Sequence, residues 1–122
     1  MDSFAWIEYF SGSVRGQKVR EFVKGGVATT PTIVIAEISE KYAKMKLDLG
    51  PRLVFIRARS GIVALDEELA RIAGTVNHER RKIVKGWGMA DSIILATARR
   101  SKARVVTGDR HFKDLASETV II

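Results

Sequence analysis

The run Arg104-Val105-Val106-Thr107-Gly108-Asp109 reads as a short buried strand that ends in a turn, with a carboxylate just past its carboxyl end. A continuous apolar run, without polar alternation, is the pattern of a strand covered on both faces, and so of a parallel sheet. Ligands of such sheets collect at the carboxyl ends of the strands. Asp109 therefore marks one edge of the molecule as the place to look for chemistry.

Working outward, the same alternation continues. Downstream, Glu118 to Ile122 reads as a closing strand; upstream, Met89 to Lys102 reads as a helix with Asp91 in its first turn. Gly86-Trp87-Gly88 is a loop, and Asp66 caps a long helix with Leu69, Ile72, Ala73 and Val76 at helical spacing. Gly61 to Leu65 and Val27 to Thr29 are two more strand candidates. Helices are expected at Ser3–Phe10 with Ser3 as cap, Val14–Lys24, Ile33–Lys46 and Pro51–Ser60. Strands alternating with helices predict an α/β fold with a parallel sheet covered on both faces. With 122 residues and no internal linker or repeat, the whole chain is expected to be one domain.

Four acids sit where solvation does not explain them. Glu37 interrupts Ile33-Val34-Ile35-Ala36-Glu37-Ile38, Asp91 precedes Ser92-Ile93-Ile94-Leu95-Ala96, Asp2 precedes Ser3-Phe4-Ala5-Trp6-Ile7, and Asp109 follows its strand. Carboxylates in apolar surroundings need a partner. Four together repel, so at least one has a raised pKa unless a cation neutralises them. Cysteine is absent and only His78 and His111 are histidines, which leaves an oxygen-built site suited to Mg or Mn. A cation there activates water and stabilises in-line displacement at phosphorus, whether one ion is held or two.

Twenty-one Lys and Arg against fourteen Asp and Glu give +7, and removing four clustered acids leaves the remaining surface more basic still. That charge favours a polyanionic partner. Arg80, Arg81, Lys82 and Lys85, beside Trp87 as a base-stacking aromatic, form one candidate RNA track; Arg99, Arg100, Lys102 and Arg104 form another. No apolar stretch reaches membrane-span length and the start lacks a signal-peptide pattern, so a cytoplasmic protein without a membrane partner is expected.

The segments Asp2-Ser3 with Trp6-Ile7-Glu8-Tyr9, Thr32 with Glu37-Ile38, Ala90-Asp91-Ser92-Ile93-Ile94-Leu95-Ala96-Thr97-Ala98, and Val106-Thr107-Gly108-Asp109-Arg110-His111-Phe112 occur in this order. Together they resemble the successive motifs of PIN domains, and most closely those of VapC-family toxins. The resemblance implies a three-layer α/β/α sandwich with about five strands and a Mg- or Mn-dependent endoribonuclease leaving 5′-phosphate and 3′-hydroxyl ends. It implies that Asp2, Glu37, Asp91 and Asp109 are the catalytic and metal-binding acids, and that Ser3 and Thr107 orient them. It also implies a homodimer and a small antitoxin partner. Arg110, inside the last motif, joins the candidate RNA contacts. In the family several apolar residues precede the first acid; here Met1 alone does, so the expectation is either a start that lies upstream or a truncated first strand.

Of two rival readings, one remains open at this stage. A non-catalytic RNA-binding module with a degenerate metal site fits the short first strand. A small-molecule phosphohydrolase of the Asp-x-Asp type does not, because Phe4 stands where its second acid belongs. Elsewhere, Asp114 is expected at a helix start ahead of a role as an extra acid, Asp66 at a helix start, Glu40 and His78 in solvent, His111 in a structural or surface role ahead of an RNA contact or proton donor, and Trp6, Tyr9 and Phe10 in the core or a dimer contact.

Overall fold

In the computed structural model, which describes residues 1–122, every strand but the last leads into a helix or a tight turn. Helix α1 (Ser3–Ser11) is capped by Asp2, whose Oδ1 accepts the Ala5 N–H at 2.9 Å. The expectation that Ser3 caps this helix is thereby corrected by one residue. Gly12, at φ 71°, closes α1 in the left-handed conformation that glycine adopts without a Cβ clash. Helix α2 (Val14–Lys24) starts at Ser13, which accepts the Gly16 N–H. Strand β1 (Thr29–Pro31) runs directly into α3 (Thr32–Lys44). Next come α4 (Gly50–Arg59), β2 (Gly61–Val63), and α5 (Glu67–Arg81), which Asp66 caps by accepting the Leu69 N–H at 2.8 Å. Helix α6 (Met89–Arg100) and strands β3 (Val105–Thr107) and β4 (Thr119–Ile121) complete the chain.

The strands form two parallel pairs, β1 with β2 and β3 with β4. The fold is α/β with parallel strands as expected, but the continuous five-stranded sheet is replaced by these two pairs. Between the pairs lie Met1 and Asp2: the Met1 ammonium donates to Thr29 O at 2.8 Å, and the Asp2 N–H donates to Val106 O at 3.2 Å. Two residues bridge the gap without making a ladder. Beside them an apolar groove of about 400 Å³ runs past Ala28 and Thr29 on one side and Val106 and Val120 on the other.

The core explains why the site residues are held firmly. Trp6 is fully buried, its indole N–H donates to Thr30 Oγ1 at 3.0 Å, and its ring stacks on Phe10 at 5.5 Å. This ties α1, and with it Asp2, to β1. Helix α6 buries every residue from Ser92 to Thr97, so it is apolar nearly all round and locked among its neighbours. Leu69 and Ala73 of α5 pack with Ile93 and Ala96 of α6. No helix is long and apolar enough to cross a membrane.

Candidate functional site

Asp2, Glu37, Asp91 and Asp109 line one open cleft of about 430 Å³, although they span almost the whole sequence. Each is delivered by a different element. Asp2 precedes α1, Glu37 lies in the second turn of α3, Asp91 in the first turn of α6, and Asp109 just past β3.

Their surroundings differ. Asp2 is only 4 % exposed. Burial pushes its carboxyl up to about 6, against the Thr107 hydroxyl, the Ala5 N–H and the neighbouring ammonium, which all favour the charged form. Glu37 is also raised, first by burial and then by the charges of Asp91 and Asp109, with the Ser3 hydroxyl opposing. Its Oε1 is buried and has no hydrogen-bond partner. Asp91 is raised by burial and by Asp109, while the Gly88 N–H and His111 oppose. Its Oδ2 accepts the Gly88 N–H at 3.2 Å. Asp109 caps a 3-10 turn (Arg110–Phe112), its Oδ1 accepting the His111 N–H at 2.9 Å. Its own N–H donates to Thr107 Oγ1 at 2.9 Å.

Three carboxylates with raised pKa values around an orphaned buried oxygen are a donor set short of positive charge. A hard divalent cation fits it: the donors are oxygen atoms, and a cation offsets both the burial that chiefly raises them and their mutual repulsion. The tightest grouping of ligand atoms is narrower than the four acids. Asp91, Asp109 and His111 each offer one atom, all within 4.8 Å of one another. Asp2 and Glu37 share the cleft but lie outside that set.

The sequence suggests a structural or surface role for His111, and the structure places it at the acids. It is not a bystander: its Nδ1 faces both Asp91 and Asp109. Lys41 and Lys44 were missed, and both line the cleft one and two turns beyond Glu37 on α3. The i+4 spacing from Glu37 to Lys41 was readable in the sequence, because it puts both on one helix face. Lys44 is engaged by Glu40 at 2.8 Å, whereas Lys41 makes no ion pair.

The proposed RNA track needs correction at two positions. Arg80 is 6 % exposed, grips Asp114 through two hydrogen bonds of 2.7 and 2.8 Å, and lies over the Trp87 ring at 4.4 Å. It has no free face for a phosphate, and Asp114 is its partner rather than a helix-start acid. Trp87 is 2 % exposed and donates to Ser92 Oγ, so its ring is core rather than a base-stacking platform. Arg81, Lys82, Lys85 and Arg110 are exposed. In the second basic group, Arg99 pairs with Glu118 and Arg100 with Asp66.

Gly108 explains how Asp109 comes so close to α1. A Cβ there would stand 2.2 Å from the Phe4 ring, so glycine lets the β3 turn press flat against Phe4.

The family model for the PIN domain matches residues 1–118, and the chain belongs to the PIN-domain family. PIN domains typically bind divalent metal and act as nucleases. Among solved structures, the chain is similar to one titled "Toxin-antitoxin complex from Klebsiella pneumoniae". The TM-score is 0.73 at 18 % identity, covering 98 % of this chain and 92 % of that one. No curated protein matches the sequence.

Proposed function

We propose that the chain is a Mg- or Mn-dependent endoribonuclease and the toxin half of a toxin–antitoxin pair. The observation that carries this reading is the convergence of Asp2, Glu37, Asp91 and Asp109 on one open cleft, three of them with raised pKa values. Asp91, Asp109 and Glu37 would hold the ion, with Asp2 behind them and the Ser3 and Thr107 hydroxyls orienting Glu37 and Asp2. A bound divalent cation supplies Lewis-acid stabilisation at phosphorus and lowers the pKa of water. The chain's own part is positional. The Gly88 N–H fixes Asp91, the His111 N–H fixes Asp109, and the rigid α6 keeps the carboxylates from relaxing apart. The lone Lys41 provides a cation for a phosphate beside the acids, and Arg110, Arg81, Lys82 and Lys85 extend the positive surface for RNA.

Residues 1–122 act as one PIN-like unit, with Met1 and Asp2 bridging the two strand pairs. The similarity to a chain solved in a toxin–antitoxin complex supports a small antitoxin as partner. The exposed apolar Met45, Leu47 and Val54 support a homodimer or an antitoxin contact. A cytoplasmic location follows from that role.

The test is incubation of an end-labelled RNA pool with Mg, with Mn and with EDTA, followed by analysis of the new ends. Metal-dependent products with 5′-phosphates support the proposal. Tight RNA binding without cleavage in either metal supports the rival reading, a non-catalytic RNA-binding module.

A further inference from the structure

Nδ1 of His111 stands 3.4 Å from Asp91 Oδ2 and 3.5 Å from Asp109 Oδ1. These distances are long for hydrogen bonds, which for N–H···O lie at about 2.7–3.2 Å. They suit something else. Two donor atoms each about 2.1–2.2 Å from one ion, at angles of 90–110°, stand roughly 3.0–3.6 Å apart. The imidazole nitrogen thus makes only a long contact with Asp91 and stands at coordinating span from both carboxylates.

The ring is held there by its surroundings. Its Nε2 lies over Gly86, where a Cβ would approach to 3.1 Å, and Gly86 has the left-handed φ of 85°. The His111 carbonyl accepts from Arg80 at 3.1 Å, and the next residue, Phe112, is buried against Trp87 at 4.9 Å. The turn is therefore anchored from two sides, and the same turn fixes Asp109 through the His111 N–H.

We propose that His111 is a further metal ligand, through Nδ1, added to the carboxylates and set between Asp91 and Asp109. This rests on the reading of the cleft as a metal site and adds nitrogen to its oxygen donors. Its consequence is selectivity. Mg coordinates oxygen almost exclusively, whereas Mn accepts imidazole readily. The site then prefers Mn to Mg more strongly than carboxylates alone would.

The experiment is pulsed electron paramagnetic resonance of Mn bound to the full chain, with Mn and Mg affinities measured by titration for the wild type, His111→Ala and Asp91→Asn. The expected result is a 14N coupling on the wild-type Mn signal that vanishes in His111→Ala. In that variant Mn affinity is expected to fall about tenfold and Mg affinity much less. The wild-type spectrum is decisive even where the variant folds poorly. Mn bound without 14N coupling, with binding lost in Asp91→Asn, overturns the ligand role of His111 while the metal site stands. A coupling that survives in His111→Ala overturns it too. No Mn bound by the wild type overturns both this inference and the metal reading beneath it.

Discussion

Arg80 clasps Asp114 across 34 residues of sequence with hydrogen bonds of 2.7 and 2.8 Å, and with its remaining reach holds the His111 carbonyl at 3.1 Å. A residue that sequence places in a basic RNA track is instead the strut between α5 and the turn carrying Asp109 and His111. Arg80→Ala removes charge-assisted bonds and the stacking on Trp87, and is expected to cost about 2–4 kcal/mol. Urea unfolding measures this. A loss below about 0.5 kcal/mol, with weakened RNA binding, would return Arg80 to the surface role.

Lys41 is the lone unpaired cation lining the acidic cleft. Lys41→Ala is expected to raise KM for RNA several-fold with a smaller change in kcat, and to reduce the salt slope of binding by about 1. Lys41→Arg is expected to retain most of the affinity. An unchanged salt slope in Lys41→Ala contradicts the contact.

Gly108 carries a packing prediction. Because a Cβ there would stand 2.2 Å from the Phe4 ring, Gly108→Ala is expected to destabilise by about 1–3 kcal/mol. Phe4→Ala in the same chain removes the obstacle, so the double variant should lose less than the sum of the two singles. Thermal melts of the three variants check this, and strict additivity speaks against the contact.

The raised carboxyls predict an unusual pH dependence for the metal-free protein. Asp2 has a folded pKa of about 6, above its unfolded value of 3.8, so the folded state binds more protons in between. Its contribution is neutral below the unfolded pKa and becomes destabilising as pH rises through 4 to 6, reaching roughly 3 kcal/mol above that. Glu37 and Asp91 act in the same direction. The buried Met1 ammonium, whose pKa is lowered, acts in the opposite direction as pH rises. Comparison with Asp2→Asn isolates the carboxyl: the variant's stability relative to wild type should grow between pH 4 and 7. Adding Mn at pH 7 should stabilise the wild type. A pH-independent difference between the two chains would remove Asp2 from this account.

How far the sequence could be read follows from which signals are local. Helix α2 falls on its expected bounds, and α3, α4 and α6 within two residues of theirs, because caps, glycines and 3.6-residue spacing are local features. Strand β1 begins two residues later than Val27 because its pairing with β2, and not its composition, sets its ends. The division of the sheet was not legible, since hydrogen bonding across Met1 and Asp2 depends on distant residues Thr29 and Val106. The acids of the cleft drew notice because each breaks an apolar context. His111 carried no such mark, lying in a polar turn. Arg80 did carry one: Leu69, Ala73, Val76 and Arg80 follow one another at four, three and four residues, which places the arginine on the buried face of α5. Its membership in a run of basic residues masked that spacing.

If the four-acid cleft cuts RNA with a bound cation, both the cation and the acids must be needed for cleavage. This is tested most directly by single-turnover cleavage of a labelled RNA pool in Mn, comparing the wild type with a folded Asp91→Asn chain. Expected are cleavage by the wild type that EDTA abolishes and a loss of at least about a hundredfold in the variant, since removing one stabilising group commonly costs that much. Undiminished cleavage by Asp91→Asn, or wild-type cleavage that persists in EDTA, would contradict it.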